Sequence, residues 1–309
     1  MRSFFGLLPC CSLLWLHGLG ASAGAAGTEA AGGGVPGARS RFAKLGPNKV
    51  HYVALGKGPP TLVFVHCWAG NLDFWRAQVP AFQGRARVIL VDLPGHGKSD
   101  APQGACAIPG YARAIEAVLR DAKVDKAVLV GHSMGVGVVN RFYRDFPAKT
   151  QALVAVDGSL RGYDLTRVQF DEWIKPFRRP DYRETVARFI DTMFPMAGTE
   201  ALRERDKAAM LRTPQHVMVS SLEGLFERAD WECRRIGVPV LVINAPNPIW
   251  TTDYEAYVRE LAPLLDYRKI PDTGHFLMQE KPEEFNTALL EFLGKHQLLK
   301  KSSHTKSSP

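Results

Sequence analysis

A serine between two glycines constrains this chain more than any other feature. Gly131 and Gly135 flank Ser133 in a G-x-S-x-G pattern. The pattern directly follows the apolar run 126–130, and a segment with helical spacing comes after it. A strand that ends in a sharp turn before a helix exposes one hydroxyl, and glycine leaves room for the tight backbone. The pattern therefore predicts a nucleophilic serine at the end of a buried strand.

Short apolar runs alternate with segments of helical spacing along most of the chain. Strands are predicted at 41–45, 49–54, 61–65, 86–91, 126–130, 152–156, 238–245 and 267–270. Helices are predicted at 111–122, from the serine turn to about Phe146, and at 283–293. This alternation is typical of an α/β fold with a mostly parallel sheet flanked by helices.

One long segment interrupts the alternation after Asp157. From 159 to 236 the sequence has helical patterns and no clear strand, and we interpret it as a helical cap inserted in the core. The core itself is expected to comprise 41–158 and 237–295. Ligands of open α/β sheets bind at the carboxyl ends of the strands, so the cap is expected to cover that side.

The N-terminus has the features of a secretory signal. Arg2 precedes an apolar stretch, 4–19, and an A-x-A-like site follows at 21–23. We interpret residues 1–23 as a signal peptide, with a transit peptide or an uncleaved anchor as alternatives. The protein is then expected to be secreted or periplasmic, with no membrane span once the signal is removed.

The segments next to the core have low complexity. Residues 24–40 are rich in Gly and Ala and are expected to form a flexible linker. Residues 296–309 are basic and Ser-rich and are expected to form a disordered tail. The net charge of +8 comes partly from this tail. Because no basic stripe with interleaved aromatic residues is found elsewhere, nucleic acid is not an expected partner.

Three cysteines remain after the signal: Cys67, Cys106 and Cys233. Three thiols allow at most one disulfide within one chain, and their spacing matches no zinc site. Neither a metal nor an organic cofactor is expected. The sequence leaves the oligomeric state open.

A base for Ser133 is predicted near the C-terminus. His275 lies in the run Asp272-Thr-Gly-His-Phe276, after the last predicted strand. A serine hydroxyl needs a base to become nucleophilic at neutral pH. A serine on the middle strand followed by a histidine after the last strand is the order that α/β hydrolases use.

With these motifs, the chain resembles an α/β-hydrolase of the lipase, esterase and lactonase type over residues 41–295. Two further segments carry the resemblance, 65–70 (VHCWAG) and 92–97 (DLPGHG). By position, the resemblance implies an oxyanion hole made by the backbone N–H groups of Trp68 and Met134. The chain departs from the family at Cys67, where a glycine is usual.

The acid of the catalytic triad is less clear from the sequence, and three candidates stay open. The loop after the cap, 244–250, is where the family usually has it, but it contains Asn247 and no carboxylate. Asp253 follows, in a run Thr252–Glu255 that looks like a capping box at the start of a helix. Asp157 ends the strand before the cap, a place from which some relatives supply the acid, and it is the favoured candidate.

The resemblance implies hydrolysis of a small or medium carboxylic ester or lactone through an acyl-enzyme on Ser133. The same framework serves C–C bond hydrolysis, amide cleavage and acyl transfer, so these remain alternatives, as does a ligand-binding protein without activity. Seven aromatic residues are candidates for the wall of an apolar pocket under the cap, with a place in the hydrophobic core as the alternative for each: Trp68, Trp75, Trp173, Phe177, Phe194, Phe226 and Trp250.

Overall fold

The computed structural model describes residues 35, 37–162, 166–227 and 235–299. The predicted signal peptide, most of the predicted linker and Cys233 lie outside these residues. Within the described ranges, no helix is both long enough and apolar enough to cross a bilayer.

Eight strands form one sheet in the described part of the chain. They are β1 (Ser40–Leu45), β2 (Asn48–Leu55), β3 (Thr61–Val65), β4 (Arg87–Val91), β5 (Ala127–His132), β6 (Thr150–Val156), β7 (Val240–Asn244) and β8 (Leu265–Lys269). Their order across the sheet is β1-β2-β4-β3-β5-β6-β7-β8. β2 pairs antiparallel with β1 and β4, and the other neighbours pair in parallel. The predicted α/β fold with a mostly parallel sheet is confirmed.

The central strands are buried along their whole length. Every residue of β3, β5 and β7 is buried, as expected of continuous apolar runs covered on both faces. Phe64 in β3 packs against Trp75 and Phe82, with ring centroids 5.1 and 6.2 Å away. Burying a side chain of this size contributes about 1.5–3 kcal/mol, so the middle of the sheet is a rigid support for the loops at its edge.

The helices follow the predicted alternation. They are α1 (Val79–Phe82), α2 (Ile108–Asp121), α3 (Met134–Asp145), α4 (Arg167–Arg178), α5 (Tyr182–Asp191), α6 (Glu200–Met210), α7 (Gln215–Leu225), α8 (Thr252–Leu261), α9 (Leu277–Glu280) and α10 (Pro282–Lys295). Short 3-10 helices lie at Leu72–Gln78 and Pro147–Lys149.

Helices α4 to α7 lie between β6 and β7, in the segment that we interpret as the cap. α4 begins at Arg167, because a capping box fixes its first turn. The Thr166 hydroxyl accepts the Gln169 N–H at 3.2 Å, and the Gln169 side-chain oxygen accepts the Thr166 N–H at 2.9 Å. The reciprocal bonds satisfy two N–H groups that a helix start leaves free.

The start of α8 differs from the expectation. The predicted capping box begins at Thr252, but the capping side chain is that of Thr251, whose hydroxyl accepts the Tyr254 N–H at 3.1 Å. Asp253 lies in the exposed first turn of this helix. A carboxylate is stabilised there by the helix dipole.

Packing continues past the predicted end of the core at residue 295. His296 bonds through Nε2 to a carboxylate oxygen of Asp266 at 3.1 Å. Leu298 and Leu299 pack, partly buried, against the core. The predicted disordered tail is therefore wrong for residues 296–299, because two leucines there have apolar surface to bury; the rest of the tail lies outside the described residues.

Candidate active site

Ser133 lies between β5 and α3 in a strained turn. Its backbone has φ 54° and ψ −117°, a conformation that costs a non-glycine residue about 1–3 kcal/mol. Two hydrogen bonds hold it: the Ser133 N–H donates to the Val156 carbonyl, and its carbonyl accepts the Val136 N–H, both at 2.9 Å. The strain is therefore offset by the neighbouring strand and helix.

The two glycines of the pattern permit close backbone contacts at this turn. A Cβ on Gly131 would lie 2.3 Å from the carbonyl oxygen of Gly135. A Cβ on Gly135 would lie 2.5 Å from the carbonyl oxygen of Val65, at the end of β3. Both distances are far below van der Waals contact and involve backbone that cannot swing away. The close approach of β3, β5 and α3 thus requires glycine at both positions.

The structure places His275 against Asp157. His275 Nδ1 lies 2.6 Å from Asp157 Oδ2, across 118 residues of sequence. Asp157 is buried, and its Oδ1 accepts the Ala245 N–H at 3.0 Å and the Trp250 indole N–H at 2.9 Å. Because the carboxylate accepts the proton on Nδ1, Nε2 of the same ring is left to act as a base.

The other two acid candidates lie elsewhere. Asp253 is exposed in the first turn of α8. Asn247 lines the same cavity as His275, but its side-chain oxygen accepts the Ile249 N–H at 3.0 Å, which stabilises the local turn. Of the three candidates, Asp157 is the one that the structure brings to the His275 ring.

The loop after β3 contains Trp68, the first of the two expected oxyanion donors. Its indole N–H donates to the carbonyl of Met218 in α7 at 2.9 Å. The next residue, Ala69, accepts the Thr213 hydroxyl at 3.0 Å. These two hydrogen bonds connect the loop after β3 to the cap segment.

Met134, the second expected donor, is the first residue of α3. In a helix the first N–H groups have no partner within the helix and carry partial positive charge. The backbone N–H of Met134 therefore belongs to a set of donors suited to an anion next to Ser133.

Two buried groups at the oxyanion loop, His66 and Cys67, have shifted pKa values. His66 Nδ1 donates to the Cys67 carbonyl at 2.7 Å, and its Nε2 accepts the Leu93 N–H at 3.0 Å. Burial lowers the pKa of His66, so this ring is neutral and structural. Burial raises the pKa of the Cys67 thiol, to which the nearby Asp206 also contributes. A thiol that stays protonated is a poor nucleophile.

One cavity, of about 150 Å³, is lined by Ser133, Asp157 and His275 together. Four of the seven predicted aromatic residues line it: Trp68, Trp173, Phe226 and Trp250. The other three predicted residues, Trp75, Phe177 and Phe194, are buried but do not line this cavity. For these three the core alternative holds, since a lone aromatic residue in the sequence fits the core and a pocket equally well.

Two residues of this site, Phe189 and His132, have no counterpart in the sequence predictions, and a third, Trp250, is predicted only to line the pocket and not to bond the acid. Phe189 in α5 lines the cavity. Trp250 donates to Asp157, and His132 donates through Nε2 to the His275 carbonyl at 2.8 Å. The only signal for His132 is its place next to Ser133, and nothing in the pattern around Trp250 indicates a carboxylate partner. Among the described residues, no group of three or more His, Cys, Asp and Glu side chains is arranged to hold a metal ion.

The fold and site together define a class: an α/β sheet with a serine at a strand-to-helix turn and a carboxylate-bound histidine in the same cavity is the architecture of α/β-hydrolases. The family model described as alpha/beta hydrolase fold matches residues 60–282. The chain belongs to this family. Membership supports a hydrolase activity.

The similar proteins described next share between 21% and 28% sequence identity with this chain. A dihydrolipoyllysine-residue acetyltransferase component of an acetoin cleaving system from Cupriavidus necator is 25% identical over 264 residues, 82% of this chain and 69% of that protein. A pimeloyl-(acyl-carrier protein) methyl ester esterase from Proteus mirabilis is 28% identical over 259 residues, 79% of this chain and 96% of that protein. A thermophilic esterase from Thermogutta terrifontis, solved with malate bound, superposes with a TM-score of 0.75 at 21% identity, covering 84% of this chain and 98% of that one.

Proposed function

We propose that this protein hydrolyses small, uncharged carboxylic esters or lactones through an acyl-enzyme on Ser133. The observation that carries the proposal is the 2.6 Å contact of His275 with Asp157, in the cavity that Ser133 also lines. The relative from Proteus mirabilis is named as a methyl ester esterase, which supports a carboxylic ester as the bond that is cleaved.

The proposed chemistry follows from the roles that the geometry allows. Ser133 Oγ attacks the ester carbonyl while His275 Nε2 takes its proton, and Asp157 stabilises the imidazolium that forms. The N–H groups of Trp68 and Met134 stabilise the oxyanion. His275 then protonates the leaving alcohol, and water, deprotonated by the same ring, hydrolyses the acyl-enzyme and restores the free serine.

The size and the lining of the cavity favour a substrate with a small apolar acyl group. Trp173, Phe189 and Phe226 from the cap segment contribute aromatic walls. Among the described residues that line it, none is a lysine or arginine. An apolar cavity of about 150 Å³ is known to hold a benzene-sized group. A negatively charged acyl group would lose its hydration without gaining a Lys or Arg partner among the described lining residues.

Acyl transfer is a second candidate, because the relative from Cupriavidus necator is named as an acetyltransferase component. Both reactions share the acyl-enzyme and differ in whether water or another nucleophile takes the acyl group.

An inactive binding protein is the other alternative, and the argument for it is the missing carboxylate in the loop at 244–250. Because Asp157 supplies a carboxylate at His275, the missing carboxylate of that loop does not favour an inactive protein.

Secretion or a periplasmic location is also part of the proposal. It is supported by the sequence of residues 1–23 alone, which lie outside the described ranges.

Covalent labelling tests the nucleophile. A fluorophosphonate probe is expected to label the wild-type protein at Ser133, because the probe reacts with serines activated by a neighbouring base. The Ser133→Ala variant, with unchanged thermal stability, is expected to remain unlabelled, as judged by intact mass and peptide mapping. A wild-type protein that is folded but not labelled would rule out the proposed mechanism.

The acid is tested by a matched pair of substitutions. Asp157→Asn is expected to lower kcat by about 10⁴-fold, since an amide favours the wrong histidine tautomer. Asp253→Asn, in the exposed first turn of α8, is expected to change kcat by less than about 2-fold. Steady-state kinetics with one p-nitrophenyl ester measure both. A large loss in Asp253→Asn with little in Asp157→Asn would reassign the role.

The cavity wall is tested with two esters that share a leaving group. We expect kcat/KM for p-nitrophenyl butyrate to exceed that for p-nitrophenyl hemisuccinate by about 100-fold or more, because the carboxylate of the second acyl group must be desolvated. The two acyl chains have four carbons each and differ at the terminal group, a methyl in one and a carboxylate in the other. Equal rates, or a preference for hemisuccinate, would contradict the proposed substrate class.

A further inference from the structure

One carboxylate holds the backbone on both sides of His275. Glu280, the last residue of α9, accepts the Gly274 N–H through Oε2 at 2.7 Å. Its other oxygen, Oε1, accepts the Phe276 N–H at 3.2 Å. The two donors belong to the residues immediately before and after His275, so a single side chain fixes the loop that presents the ring.

The backbone groups of His275 itself are held by two other elements. Its N–H donates to the carbonyl of Met193, just after α5, at 3.0 Å. Its carbonyl accepts the Nε2–H of His132, the residue before Ser133, at 2.8 Å. The Glu280 side chain thus makes two of the four bonds described here to the backbone of these three consecutive residues.

Glu280 does not take part in the surface ion pair formed by the residue next to it. It is half-buried, and its neighbour Lys281 pairs with Glu284 at 3.3 Å. Burial raises the pKa of Glu280, while charge on His275 acts in the opposite direction. No Lys or Arg of the described residues pairs with Glu280, and a carboxylate kept partly buried without such a partner is costly. Its two bonds are charge-assisted, hence stronger than bonds between neutral groups.

Close packing adds to the restraint. A Cβ on Gly274 would lie 2.8 Å from the Met193 carbonyl and 3.1 Å from Glu280 Oε1. The loop therefore runs between the cap segment and the Glu280 carboxylate with no space to shift. These contacts restrain the backbone from which the His275 ring projects.

We propose that Glu280 is a positioning residue that holds the His275 ring in line between Asp157 and Ser133. The inference rests on the proposed function, since it assigns His275 the role of base. Glu280 contacts neither substrate nor the reacting atoms in this arrangement. It acts through the backbone of the histidine loop, and a displacement of about 1 Å in such a group can cost about 100-fold in rate.

The test compares Glu280→Gln with Glu284→Gln. The first substitution keeps the shape but turns one acceptor into an NH₂ group that faces a backbone donor; we expect kcat to fall about 10- to 100-fold with KM changed by less than about 2-fold. The second removes an exposed carboxylate of α10 whose partner is Lys281, and we expect wild-type kinetics. Should Glu280→Gln not fold, Glu280→Asp, which is one methylene too short to reach both donors, is measured instead.

A second readout separates positioning from general stability. The proton on His275 Nδ1, bonded to Asp157, is expected to give a downfield NMR resonance that Asp157→Asn removes. We expect Glu280→Gln to shift or broaden this resonance and Glu284→Gln to leave it unchanged. If the wild type is labelled by fluorophosphonate while Glu280→Gln keeps both kcat and the resonance, the inference is overturned and the proposed function stands. If the wild type is not labelled, the proposed function fails, whatever Glu280 does.

Discussion

Parallel pairing of β3, β5, β6 and β7 is the constraint on which the site depends. Parallel strands have their carboxyl ends at one edge of the sheet, where ligands of α/β folds bind. The loops after these strands therefore bring Trp68, Ser133, Asp157 and Ala245 together, although they are far apart in sequence. The buried strands beneath them keep that edge rigid, which is what a strained turn such as that at Ser133 requires.

The loop after β7 has an unusual part in this arrangement. In the family it usually carries the acid, but here it supplies two donors, the Ala245 N–H and the Trp250 indole, to a carboxylate that belongs to the neighbouring strand end. Asp157 itself has φ 40°, a left-handed conformation that Asp tolerates better than most residues. In this arrangement Asp157 is buried and accepts hydrogen bonds from three donors, of which His275 is the third.

The sequence predicts the local features well and the long-range contacts poorly. β3 is predicted to the residue, since its apolar run begins directly after Gly58-Pro59-Pro60. The turn at Ser133 is legible because close backbone contacts require the two glycines. The choice among Asp157, Asp253 and Asn247 stays open in sequence, because the deciding contact joins residues 118 positions apart. Glu280 has no signal of its own: its function depends on the backbone N–H groups that it reaches.

The central claim is that Ser133 and His275 act as one unit, and a double-mutant cycle on kcat/KM tests it most directly. Groups that act together in one step are strongly non-additive. We expect Ser133→Ala and His275→Ala each to lose about 10⁴-fold or more, and the double variant to lose no more than either one, because a base has nothing to deprotonate once the hydroxyl is gone. Losses that multiply in the double variant would show that the two side chains act independently and would contradict the account.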